Sequence, residues 1–116
     1  MGYDVHITRA DHWLDASATP ISLGEWRDYV ASDDEVQLTG QAVAYVDGDP
    51  AIDYASDGLA SWIAYTKHDP NGNQAWFDWQ EGRIVVKNPD EEILDKMRQI
   101  ASRLSARVVG DDGEEY

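Results

Sequence analysis

The chain has 116 residues, no cysteine, and a net charge of −14 from 23 acidic and 9 basic side chains. That length fits one domain, and the missing thiols exclude disulfide frameworks, thiolate nucleophiles and thiolate metal sites. A field of this sign repels nucleic-acid phosphates and anionic lipid and draws in basic proteins. No apolar run approaches the ~18 residues of a membrane span, and the start carries no charged-then-apolar signal pattern. A cytoplasmic protein that touches neither membrane nor nucleic acid directly is therefore expected.

The first strand is expected over Tyr3 to Arg9, where Tyr3, Val5 and Ile7 alternate with Asp4, His6 and Thr8. A loop from Asp11 to Pro20 follows, with Trp13 and Leu14 to pin it. Ser22 and Glu25 form a capping box. The helix it opens runs to about Ala31, with Leu23, Trp26, Tyr29 and Val30 as its apolar stripe and Ile21 as a staple. Val36, Leu38 and Ala42 to Val46 read as one strand bent at Gly40, returning through Asp47-Gly48-Asp49 into Ala51 to Ala55. Ser61 to Thr66 and Gln74 to Trp79 read as strands flanking a turn-rich loop, and Glu81-Gly82 turns the chain into Arg83 to Lys87.

Asn88-Pro89-Asp90-Glu91 then predicts a second helix start, with Asn88 as cap, Pro89 in the first turn, and both acids meeting the positive dipole end. Ile93, Leu94, Met97, Ile100, Ala101 and Leu104 supply its stripe, and Lys96, Arg98, Arg103 and Arg107 load its later turns with positive charge. Arg107 to Gly110 reads as a short last strand and Asp111 to Tyr116 as an acidic tail. The expected fold is α+β: one domain, residues 1–116, with an antiparallel sheet of five to six strands and two helices packed on one face.

The candidate chemistry lies first on the strand face of Asp4, His6 and Thr8, with Arg9 beside it. His6-Ile7-Thr8 is half of the paired H-x-T signature of phosphoesterases, in which a histidine moves the proton and a threonine holds a phosphate oxygen. The second half is missing, so a hydrogen-bonded structural histidine is favoured. His6, Asp11, His12 and Asp15 offer nitrogen and oxygen ligands without a fixed spacing, and no metal site or cofactor is expected. The loop of Asp69, Asn71 and Asn73 has its glycine in the wrong place for a calcium loop, and Gln80 stands where the bidentate glutamate belongs. Asp78 and Glu81 could be drawn as paired carboxylates, but a strand face and a turn account for them.

What remains is surface. Residues 1–57 hold 12 acids against Arg9 and Arg27, and residues 58–116 hold 11 acids against 7 bases. Acids beside aromatics suit a protein-binding face, with Asp33, Asp34, Asp47, Asp49, Asp53 and Asp57 steering and Trp62 and Trp76 anchoring. The alternative for the tryptophans is a sheet covered on both faces.

Three segments carry a resemblance: Gly2 to Arg9 (GYDVHITR), Ala75 to Asp78 (AWFD), and Gly82 to Leu94 (GRIVVKNPDEEIL) followed by Lys96-Met97. They resemble a family of short, acidic, uncharacterised bacterial proteins, and the resemblance spans nearly the whole chain. It implies no catalytic residues. By size and acidity such proteins are similar in type to the immunity proteins made beside secreted toxins, which implies a cytoplasmic binding protein that occludes a cognate toxin. The competing expectations are a small phosphoesterase-like hydrolase using His6 with Asp4, Thr8 and Arg9, and an acidic mimic of nucleic acid.

Overall fold

The structure, a computed structural model, describes residues 3–10, 18–46, 49–68 and 74–116, with 41–46 and 49–55 described by backbone alone. In chain order the elements are β1 (Asp4–Thr8), α1 (Leu23–Ser32), β2 (Val36–Leu38), β3 (Gln41–Val46), β4 (Asp49–Ala55), β5 (Leu59–Trp62), β6 (Trp76–Gln80), β7 (Arg83–Lys87), α2 (Glu91–Arg103) and β8 (Arg107–Gly110). Six strands form a sheet in the order β2-β5-β6-β7-β1-β8, every pair antiparallel, and β3 and β4 form a separate pair. The chain is an α+β fold, as its pattern predicts.

Helix α1 starts where the capping box places it. The Ser22 hydroxyl accepts from the Glu25 amide at 3.0 Å, and the Glu25 carboxylate accepts from the Ser22 amide at 3.1 Å. Ile21 and Trp26 flank the cap and are both fully buried, the positions a hydrophobic staple requires.

Helix α2 differs at its start. Asp90, not Asn88, is the cap, and its carboxylate accepts from the Ile93 amide at 2.9 Å. Asn88 instead takes a positive φ of 48° and pairs with Tyr3, its amide donating to the Tyr3 carbonyl and its side chain accepting from the Tyr3 amide, both at 2.8 Å. Asparagine tolerates this left-handed backbone better than most residues, so a tertiary bond to β1 overrides the local cap.

Two strands also end differently from the alternation. The run from Val36 is interrupted at Thr39-Gly40, where both amides donate to the Leu59 carbonyl and Gly40 has φ +73°. β3 and β4 therefore prolong the β2–β5 pair beyond the main sheet rather than joining it. β5 stops at Trp62 instead of Thr66, because the chain turns there. The Tyr65 amide reaches back to the Trp62 carbonyl, and the two rings stack at 5.6 Å. Ala64 and Thr66 thus do not share a strand face with Trp62.

Register divides the sheet cleanly. Val5, Ile7, Ile84, Val86, Phe77, Ala60, Trp62, Val36 and Val108 stand on the face that packs with Trp26, Met97 and Ile100 of the helices. On the other face, Val109, His6, Val85, Asp78 and Leu59 follow one another across five strands, each at most 8 % exposed. Both faces are buried along that row. Among the described residues no helix is long and apolar enough to cross a membrane.

Candidate functional site

The buried row on the second face holds the residues the sequence singles out for chemistry. His6 is 2 % exposed, and its Nε2 lies 2.9 Å from the Asp111 carboxylate. A carboxylate only accepts, so Nε2 carries the proton and donates it. Asp111 also accepts from the Asp4 amide at 3.0 Å, which ties the C-terminal segment to β1. Burial pushes the His6 pKa below its ordinary value, with the Arg83 charge acting the same way and against the opposing pull of Asp111 and Asp4. Burial also works to raise Asp111, but its bonds from His6 and the Asp4 amide outweigh it and hold the carboxyl below the usual range.

Thr8 and Arg9 are engaged in the frame itself. The Thr8 hydroxyl, fully buried, accepts from the Ala10 amide at 3.1 Å and closes the strand end. Arg9 donates from Nε to the Leu104 carbonyl at 2.9 Å, from Nη1 to the Pro20 carbonyl at 3.2 Å, and from both terminal nitrogens to Glu25. That fork joins the end of α2 to the start of α1, and it holds the Glu25 carboxyl down to about 2, with the Ser22 amide helping. The structure thus brings Asp4, His6 and Thr8 to one strand, as alternation predicts, and engages the His6 and Thr8 side chains and the Asp4 amide in internal bonds.

A second constellation escaped the sequence reading. Lys96, expected as one of the cations that load the later turns of the helix, is 4 % exposed. Its Nζ donates to Asp33 at 2.8 Å and to Glu35 at 3.0 Å, and it sits 5.9 Å from the centre of the Trp62 ring. The Tyr29 hydroxyl donates to Asp33, and the Trp62 Nε1 donates to Glu35 at 3.3 Å. Burial, the largest effect on Asp33, would raise it, but Lys96, Tyr29 and the Glu35 amide together keep it low. Glu35 is held low chiefly by Lys96 and then by Trp62. These groups line an open groove between the end of α1 and the flank of α2, whose other wall carries Arg98 and Arg103. Arg98 is paired with Asp95 at 2.7 Å and Arg103 lies over the Tyr29 ring at 5.9 Å. The signal was available: Lys96 falls three residues after Ile93 and four before Ile100, at the margin of the apolar stripe.

Of the expected partner-binding residues, Asp33, Asp34, Asp57, Trp62 and Trp76 have described side chains. Asp34 and Asp57 are exposed, while Asp33 is tied to Lys96. Asp49 and Asp53 lie in β4, and their side chains, like all of Asp47, lie outside the described residues. Trp62 is 7 % exposed and belongs to the core, whereas Trp76 is half-buried on the second face. Trp26 and Trp79 each donate from the indole to a backbone carbonyl, of Gly58 at 2.8 Å and Ile21 at 2.7 Å. Asp11, His12, Trp13 and Asp15, and the loop of Asp69, Asn71 and Asn73, lie outside the described residues. Among the described residues no three His, Asp or Glu side chains converge as metal ligands would. No protein-family model matches the chain, and neither a curated protein nor a solved structure matches it.

Proposed function

We propose that this is a cytoplasmic binding protein that captures a basic protein partner and occludes its working cleft, in the manner of an immunity protein toward its toxin. One observation carries the reading: the candidate proton carrier His6 and its partner Thr8 are sealed, while several carboxylates stand exposed with no cation paired to them among the described residues. His6 is 2 % exposed and Thr8 fully buried, and a general base must reach the proton it removes. Asp28, Asp34, Asp57, Glu91 and Glu115 are exposed and form no ion pair among the described residues. Such rim charges raise association rate more than they slow dissociation. Among the described tryptophans, Trp76 and Trp79 keep partial exposure that a partner could bury.

The reading is tested by capturing the partner from its native lysate and reconstituting the pair from purified components. A stoichiometric complex that abolishes the partner's activity, and whose association slows with salt and with Asp34→Lys and Asp57→Lys, supports it. Association indifferent to salt and to both reversals removes the steering mechanism, and a captured partner that keeps its activity removes occlusion.

A further inference from the structure

The two edges of the main sheet are treated differently. At the β8 edge the C-terminal segment folds back: Val109 bridges Glu115, the Tyr116 amide donates to the Val108 carbonyl at 2.9 Å, and the Gly110 amide donates to the Glu114 carbonyl at 2.8 Å. That edge is closed. At the other edge, β2 pairs with β5 alone. The Ile63 amide donates to the Glu35 carbonyl and the Thr39 amide to the Leu59 carbonyl, so Glu35, Gln37 and Thr39 turn their backbone groups inward. In an antiparallel pair the intervening residues turn theirs outward. The Leu38 amide and carbonyl and the Val36 carbonyl therefore face away from the sheet, and no described residue bonds them.

Nothing on β2 guards this edge by charge or proline. Its residues are Val36, Gln37 and Leu38, and Leu38 is 39 % exposed. Natural sheets protect open edges with lysine, proline, bulges or a covering segment; on β2 itself, among the described residues, only its shortness does so. The edge continues beyond Gly40 along β3, which among the described residues pairs with β4 alone.

We propose that the open β2 edge accepts an extended, lysine- or arginine-rich segment of a protein partner as a seventh strand. This rests on the binding-protein reading above and names its docking surface. Backbone bonding supplies the register, and charge selects the occupant. No lysine or arginine occurs between Arg27 and Lys67, a span that contains all of β2 to β5; Lys96 reaches in to pair with its Asp33 and Glu35, which leaves Asp28, Asp34, Asp47, Asp49, Asp53 and Asp57 as its further acids. A second copy, itself carrying −14, is repelled from such an edge; a basic strand is attracted.

The test uses the full chain and a synthetic peptide of alternating lysine and valine, read by titration and by hydrogen exchange at the Leu38 amide. Saturable binding that protects this amide is expected. It should weaken at least tenfold when alternate peptide nitrogens are methylated, and tenfold with Leu38→Pro. That variant loses an outward N–H and no internal bond, so its melting temperature should hold. The methylated peptide leaves the protein untouched and decides the matter should Leu38→Pro unfold.

Binding unchanged by methylation and by Leu38→Pro, with Leu38 exchanging as before, overturns the edge proposal and leaves the acidic binding reading standing. An absence of saturable binding at low salt overturns both. Dimers that Leu38→Pro converts to monomers would assign the edge to a second copy and also overturn the proposal.

Discussion

Replacing Lys96 with methionine keeps the aliphatic stem and removes the ammonium that joins α2 to the link between α1 and β2. Breaking a buried ion pair on one side costs about 3–5 kcal/mol. Here the stranded partners are cushioned. Asp33 keeps the Tyr29 hydroxyl and the Glu35 amide, and the Glu35 side chain is 53 % exposed and rehydrates. The cost should therefore be about 2–3 kcal/mol at pH 7, below the range for fully sealed pairs. For a chain this long it corresponds to a fall of roughly 8–12 °C in Tm. Urea unfolding of both proteins measures it, with an unchanged m value.

The pH dependence carries the sharper test of the Lys96 pair. In the native chain Asp33 is held low, so its contribution is present above ~3.8 and is lost as pH falls through its lower folded value. Without Lys96 the carboxyl climbs from that lowered value, so less of its stabilisation is lost on acidification. The stability gap between the two proteins must then narrow below about pH 4. Asp33→Asn added to Lys96→Met should recover part of the loss, since removing both partners leaves no buried charge unpaired. A loss under ~0.5 kcal/mol, the scale of ordinary surface changes, or a gap that stays constant to pH 3, would refute the assignment of Lys96 as a buried clamp.

His6→Gln should flatten the stability profile just below about pH 6.5 relative to the native chain. The unfolded histidine takes its proton near 6.5 while the buried one resists it. Native stability therefore falls as pH drops through that window, until the lower folded pKa is reached. Chemical denaturation at four or five pH values reads this slope. Ser105, the left-handed residue just past α2 at φ 54°, should gain about 0.5–1 kcal/mol on replacement by glycine, because a Cβ is costly there. Gly58→Ala should lose about 1–3 kcal/mol, because its Cβ would lie 2.5 Å from the Trp79 Cβ and 3.2 Å from the Leu23 Cδ1. Thermal unfolding of both variants checks the two opposite signs.

Local rules carried most of the architecture. The Ser22–Glu25 box, the alternation in β1 and the stripe of α2 act over three or four residues, and all three reappear in the structure. Asn88-Pro89-Asp90-Glu91 contains two possible caps, and only the distant Tyr3 amide decides between them. Ser61 to Thr66 alternates well enough for a strand, yet Tyr65 stacks on Trp62 and donates to Asp90, and that pull ends β5 early. The C-terminal acids read as a solvated tail, whereas Asp111 bonds His6 and Glu115 bridges Val109. In each case the deciding partner is remote in sequence. A strand face of Asp4, His6 and Thr8 has the same residue types whether its histidine serves turnover or packing.

The distribution of cations ties the frame to the surface. Arg9 is engaged with Glu25, Lys96 with Asp33 and Glu35, Arg98 with Asp95, Arg83 with Glu81 and Lys67 with Asp90. With 9 basic side chains against 23 acids, such internal pairing leaves an acidic surplus that the chain itself cannot match. The surplus is not uniform, because the span between Arg27 and Lys67 contains no base at all. That same span supplies the strand whose outward backbone groups are unbonded by any described residue. Coulomb attraction acts across a Debye length of about 8 Å at physiological salt, whereas a strand bond forms only at contact. Charge would therefore gather a basic segment before the edge could align it. The order of events has a kinetic consequence: salt should change the association rate, while loss of the Leu38 amide should change the dissociation rate.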